Sequence, residues 1–136
     1  MATFASGALG RLLVVDDDLE YREVIAQVVR DRGWAAITAA DGLEALSLLE
    51  GAARPDLILL DLVMPKMDGV EFVGRLRHHE DRDLSRTPVV IMTGMPYHAR
   101  SLLQPNAADG MLVKPFALRD LLGTLAHFAP GTGRGG

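Results

Sequence analysis

Carboxylates, a hydroxyl and an amine stand at the ends of four short apolar runs in this chain. Leu12-Leu13-Val14-Val15 leads into Asp16-Asp17-Asp18, Leu57-Ile58-Leu59-Leu60 into Asp61, Val89-Val90-Ile91-Met92 into Thr93, and Met111-Leu112-Val113 into Lys114-Pro115. Brought together, such groups suit phosphoryl transfer, which needs an acceptor oxygen, a metal ion and cationic or hydrogen-bonding groups for the equatorial oxygens. Three carboxylates at close quarters repel, and at least one pKa rises unless something compensates. Mg²⁺ relieves that repulsion through oxygen ligands, typically one or two carboxylates with waters and phosphate oxygens. Asp61 is expected to be the nucleophile, because a carboxylate can act as covalent acceptor and Asp61 stands apart from the acidic triplet. Asp16 and Asp17 are expected to hold the metal, directly or through water. Lys114 would bind one phosphoryl oxygen as a point charge, and the Thr93 hydroxyl another. For the triplet alone, capping of the first helix by Asp17 or Asp18 is the plainer reading; the three other strand ends reverse the balance.

That convergence depends on the elements that carry the groups. Uninterrupted apolar runs of this length fit strands of a parallel sheet covered on both faces, where ligands sit beyond the carboxyl ends of the strands. Amphipathic helices alternate with the runs. Between Leu19 and Arg32, Tyr21, Val24, Ile25, Val28 and Val29 form one apolar stripe, while Arg22, Glu23, Gln27 and Arg30 face away. Gly33 is placed to end this helix. Asp41 with Glu44, and Asp68 with Glu71, have capping-box spacing before two short helices. A final helix is expected from about Ala117 to Phe128, with Leu118, Leu121, Leu122 and Leu125 on its apolar face. A less apolar strand near Trp34 to Ala40 suits a sheet edge. The alternation predicts an α/β fold of five βα units, a flavodoxin-like doubly wound parallel sheet of order 2-1-3-4-5. Its fourth helix should be short, one or two turns between Pro96 and Pro105, because proline inside a helix costs about 3 kcal/mol.

A chain of 136 residues, 49% hydrophobic and 24% charged, predicts one globular domain with a sizeable core. Residues 1–10 read as a flexible lead, 11–128 as the folded domain and 129–136 as a flexible tail. No apolar stretch approaches the ~18 residues needed to span a bilayer, and the first residues lack the pattern of a secretory signal, so the expected location is cytoplasmic. The absence of cysteine excludes disulfides and thiolate metal sites. A net charge of −4 without a Lys/Arg cluster gives no attraction to nucleic acid. His78, His79, His98 and His127 have no metal-like spacing.

The segments LLVVDDD, LILLDLVMPKMDG, VVIMTG and MLVKPF resemble the four signatures of the receiver domain of two-component response regulators, in order and over roughly residues 10 to 128. The resemblance implies Mg²⁺-dependent transfer of a phosphoryl group to Asp61 from a phosphohistidine on a sensor histidine kinase or phosphotransfer protein. It also implies a metal site of Asp16, Asp17, Asp61 and the main-chain carbonyl of Val63, and a cis peptide before Pro115 that aims Lys114 into the site. Such a domain is a signalling module, assisting its own phosphorylation and dephosphorylation, rather than an enzyme on a separate substrate. It would act on a downstream protein, without membrane or direct nucleic-acid contact, as a monomer or a phosphorylation-dependent dimer.

One position and one element depart from the family pattern. The switch pairs the Thr93 hydroxyl with an aromatic on the fifth strand; here that position is Met111, flexible and weak in rotamer preference, which reads either as ordinary core filler or as a softened switch. Tyr97, in the loop after Thr93, is the candidate to compensate. Together with the shortened fourth helix, Met111 predicts output by a route other than dimerisation through the fourth helix, fifth strand and fifth helix. Val63 and Met95 occupy the positions that tune attack of water on the acyl phosphate; neither side chain can hydrogen-bond to that water, which predicts a long-lived phosphoryl group.

Two other function classes are weighed. A phosphorylation-independent interaction module would lack the acidic pair, the acceptor or the lysine, and all are present. A dehalogenase-type phosphatase would want an aspartate where Val63 stands, and a nucleotide enzyme a glycine-rich loop after the first strand; the sequence has neither. Whether the receiver stands alone or belongs to a longer regulator with an effector domain is left open by these residues.

Overall fold

The computed structural model describes residues 4, 6–51, 53–64 and 66–131. Residues 1–3, 5 and 132–136 of the two segments read as flexible lie outside the described residues, as do Ala52 and Pro65. Among the described residues the strands are β1 (Arg11–Val15), β2 (Ala35–Ala39), β3 (Leu57–Asp61), β4 (Val89–Thr93) and β5 (Gly110–Val113). All pairs are parallel and the order is β2-β1-β3-β4-β5, as expected from the sequence. The helices are α1 (Leu19–Asp31), α2 (Gly42–Glu50), α3 (Gly69–Arg77), α4 (Arg82–Ser85), α5 (Pro96–Leu102) and α6 (Leu118–Phe128).

Strand side chains alternate between two buried layers, the consequence of the two-residue period of extended chain. Leu13, Val15, Ile58, Leu60, Val89 and Ile91 meet α2, α3, α4 and α5 on one face. Leu12, Val14, Leu57, Leu59, Val90 and Met92 meet α1 and α6 on the other. With both faces covered, β3 and β4 carry no polar residue until their carboxyl ends, and β1 only Arg11 at its start. There the register sets Val15 beside Leu60, so Asp16 and Asp61 emerge side by side.

Local chemistry decides where the helices begin. Asp18 caps α1, its carboxylate accepting the Tyr21 N–H at 3.1 Å. Asp41 and Asp68 cap α2 and α3 through the Glu44 and Glu71 N–H groups, at 2.8 and 2.9 Å. The reciprocal half of each capping box differs from expectation. Glu44 reaches the Ala40 N–H at 3.3 Å, while Glu71 pairs with Arg75 one turn along at 3.0 Å. Gly33, at φ +90°, follows the end of α1, and its carbonyl accepts the Leu9 N–H at 2.9 Å.

The structure differs from the sequence reading in several places. A one-turn helix, α4, interrupts the α3–β4 connection, nucleated by Asp81 accepting from the N–H groups of Asp83 and Leu84. The short fourth helix of the sequence reading is therefore α5; it starts at Pro96 itself, since an N1 proline has no intrahelical partner to lose. Val24 and Leu118 are exposed although both fit an apolar stripe, because each stripe is wider than the surface it packs on. Arg22 and Arg30 fold back rather than facing away, donating to the carbonyls of Asp16 at 3.1 Å and Ala36 at 2.7 Å.

Arg77 is the polar anchor of the α3–α4–β5 corner. Its guanidinium donates to the carbonyls of Thr87 (2.6 Å), Ala107 (2.9 Å) and Ser85 (3.0 Å), and pairs with Asp109 at 3.0 Å. Burial draws its pKa down and the Asp109 charge opposes that pull.

Candidate functional site

β1 and β3 deliver the acids, β4 the hydroxyl and β5 the amine to one edge of the sheet. Asp16 is 1% exposed. Its Oδ1 accepts the Asp18 N–H at 2.9 Å and its Oδ2 lies 3.0 Å from Lys114 Nζ. Asp61 Oδ1 accepts the Val63 N–H at 3.2 Å, and its Oδ2 is 3.9 Å from the same Nζ. Asp17 projects outward, completing a group in which one oxygen from each of Asp16, Asp17 and Asp61 lies within 4.8 Å of the others. The triplet divides by position: Asp18 caps α1, while Asp16 and Asp17 cluster with Asp61.

One ammonium serves three carboxylates here. Burial pushes the Asp61 carboxyl above its ordinary range, aided by the charges of Asp16 and Asp17 and opposed by the Val63 N–H and Lys114. Burial alone would draw Lys114 down, but the hydrogen bond to Asp16 and the charges of Asp16 and Asp61 leave it raised. An all-oxygen, over-acidic donor set of this kind fits a hard divalent cation. Among the candidate ligands, Val63 follows two residues after Asp61, its side chain 76% exposed.

Thr93 ends β4, pairs with Val113 in register, and accepts the Lys114 N–H on its carbonyl at 2.7 Å. Its Oγ1 accepts the Met95 N–H at 2.9 Å. The lone pair is thereby engaged and the hydroxyl proton left to donate. The Lys114–Pro115 peptide is cis. Met111 opposes Ile91 in the sheet and packs, half-buried, on the layer shared with α5. Tyr97 is 84% exposed, its ring 5.9 Å from the Arg100 guanidinium.

Gly69 explains the Asp-Gly pair after β3. A Cβ there would sit 2.6 Å from the Asp61 carbonyl oxygen and 2.6 Å from Leu62 Cα. The start of α3 therefore presses on the loop behind the acceptor, held by the Gly69 N–H to Leu62 carbonyl bond at 2.8 Å.

Sequence reasoning missed Tyr21, which was assigned to the apolar stripe. Its ring centroid lies 4.3 Å from Lys114 Nζ and meets Phe116 edge-on at 6.2 Å. Burial raises its phenol pKa, Lys114 lowers it, and the charges of Asp16 and Asp61 raise it further. The available signal was position: Tyr21 falls on the first turn of a helix that begins at the acidic strand end.

The model of the response regulator receiver domain family matches residues 12–126. This chain belongs to that family. Its curated relatives include the response regulator MprA of Mycobacterium sp. strain KMS, 40% identical over 113 residues, which cover 82% of this chain and 47% of the relative. MprA of Mycobacterium avium strain 104 is 39% identical over the same shares. The chain thus spans about half the length of the curated relatives it matches. Among solved structures, the chemotaxis response regulator CheY4 of Vibrio cholerae superimposes with a TM-score of 0.74 at 34% identity, covering 88% of this chain and 98% of CheY4. The response regulator TrrA of Thermotoga maritima, solved in complex with Mg²⁺-BeF, gives a TM-score of 0.74 at 32% identity over 88% and 98% of the two chains. The protein is a receiver domain of the two-component response regulator family, a class of signalling modules. No helix among the described residues is long and apolar enough to cross a membrane.

Proposed function

We propose that this receiver accepts a phosphoryl group on Asp61, in the presence of Mg²⁺, from a phosphohistidine of a sensor histidine kinase or histidine phosphotransfer protein. The observation that carries the reading is the placement of Lys114 Nζ against both Asp16 and Asp61 beside three converging carboxylates. In the transfer, a carboxylate oxygen of Asp61 forms the new O–P bond as the N–P bond to histidine breaks, and the electron pair of that bond stays on the imidazole. Asp16, Asp17, Asp61 and the Val63 carbonyl would hold the ion, which supplies positive charge to the phosphoryl oxygens. Lys114 balances the charge of one such oxygen and the Thr93 hydroxyl donates to another. Asp18 leaves Asp16 its orientation by donating its own N–H to Oδ1.

Output follows from Thr93 and Met111. Met111 lines a cavity of 620 Å³ toward α6 and another of 470 Å³ toward the turn after α5. A methionine between two spaces can change rotamer at small cost, so Met111 acts as a softened switch. With α5 reduced to seven residues, the signal is read by a protein partner without dimerisation across α5, β5 and α6. The working unit is residues 11–128, in the cytoplasm.

The test is uptake of labelled acetyl phosphate and of beryllofluoride with Mg²⁺, in the wild-type chain and in Asp61→Asn. Stoichiometric uptake lost in the variant is the expected result. Absence of uptake in the wild type returns the chain to the class of phosphorylation-independent interaction modules.

A further inference from the structure

We infer that Tyr21 is a positioning residue for Lys114, its ring holding the ammonium over the phosphoacceptor site by a cation–π contact. The inference deepens the phosphoacceptor reading and rests on it. Lysine is a point charge on a four-carbon stem, so a catalytic lysine at a strand end needs something besides its carboxylate partners to define where its head group sits. Here Nζ lies 3.0 Å from Asp16, 3.9 Å from Asp61 and 4.3 Å from the Tyr21 centroid, inside the ~6 Å range of a cation–π contact. The carboxylates constrain the ammonium from one side and the ring face from another.

The ring is itself held. Asp18 caps α1 through the Tyr21 N–H at 3.1 Å, which fixes the first turn of the helix and the origin of the side chain. Phe116 meets the ring edge-on, at 6.2 Å with an interplanar angle of 81°. Phe116 and Lys114 belong to the same β5–α6 connection, so one aromatic ring on α1 grips that connection at two points. The contact matters most when the phosphoryl group arrives. Asp16 would then help to hold the cation, and the ring face would remain a partner of Lys114. Arg22, the next residue of α1, holds the Asp16 carbonyl at 3.1 Å, so neighbouring side chains secure both members of the Lys114–Asp16 pair.

The contact needs the π face and not the hydroxyl, which sets the test. Tyr21→Phe and Tyr21→Leu are compared with the wild-type chain in two measurements. The first is the Lys114 Hε resonances by NMR, which a ring at this distance moves upfield. The second is the rate constant for phosphorylation by acetyl phosphate with saturating Mg²⁺. The wild type and Tyr21→Phe should both show the upfield shift and react within about twofold of each other, whereas Tyr21→Leu should lose the shift and slow about 3- to 10-fold. Unshifted Lys114 resonances in the wild type overturn the inference, as does equal slowing of the Phe and Leu variants. Should the Leu variant not fold, the shift in the wild type and in Tyr21→Phe still decides. A wild type that shows the shift but takes no phosphoryl group supports the contact while overturning the phosphoacceptor reading.

Discussion

Two clusters of charge in this protein are built on opposite plans. At the strand ends, Lys114 meets two of three clustered carboxylates, and the site is short of positive charge. At the α3–α4–β5 corner, the Arg77 guanidinium finds three carbonyls and Asp109, with good geometry throughout. A half-buried cation satisfied on every side holds a fold together and has little left to offer a ligand. A cluster left with excess charge of one sign costs stability and retains affinity for whatever supplies the other sign. The difference is that between a cluster with unbalanced charge and a staple whose charge is matched.

Four outcomes would break or sharpen that contrast. Lys114→Met should slow phosphorylation by acetyl phosphate about 10²- to 10³-fold, the usual loss for removing one preorganised charge from a transition state. The chain should stay folded by circular dichroism, and a rate within threefold of wild type would break the contrast. Arg77→Met should do the reverse. It leaves three carbonyls without their donor and Asp109 with the Val89 N–H alone, at 2.9 Å, and costs about 2–4 kcal/mol, on the order of 10 °C in Tm. Below both transitions its phosphorylation rate should match the wild type.

The third outcome concerns pH. Because burial raises the Asp61 pKa in the fold, the folded state binds that proton more tightly than the unfolded chain does. The associated stability is complete below the unfolded carboxyl range and is lost as pH rises through the folded value. In EDTA at neutral pH, Asp61→Asn should therefore melt higher than wild type. The gap should close as pH falls through the carboxyl range, and Mg²⁺ should narrow it from the other side by stabilising the wild type. A variant that melts lower than wild type in EDTA would place Asp61 among the structural charges. The smallest effect is kinetic. Val63→Asn puts an amide where the exposed valine stands and should shorten the acyl-phosphate half-life about 2- to 10-fold; an unchanged half-life removes the role assigned to Val63.

Much of the site could be read in the sequence because its residues terminate uninterrupted apolar runs. A run such as Leu57-Ile58-Leu59-Leu60 admits few structures other than a buried strand, and the polar residue that follows must surface at its end. Asp61, Thr93 and Lys114 were accessible for that reason. The helix α4 was not, since four residues make no periodic pattern and its nucleus is a single aspartate. The reciprocal capping bond of Glu71 was also out of reach, because Arg75 competes for the same carboxylate. Tyr21 packs on the apolar layer of α1 as its place in the stripe predicts, but helical periodicity does not say that its ring also reaches Lys114, nor that Arg22 folds back to the Asp16 carbonyl.

By itself, then, the sequence determined the βα alternation, the parallel sheet and the identity of the groups at its carboxyl edge. These follow from local pattern and from the small set of ways to bury strands on both faces. Only the tertiary structure decided how the acidic triplet divides between cap and site, and which oxygen of which carboxylate meets Lys114. The ring of Tyr21 beneath that lysine and the ties of Arg77 to residues up to 32 positions away belong to the same class. Distances of a few ångströms between side chains from separate elements depend on register, helix docking and rotamer at once. No pattern along the chain encodes that combination.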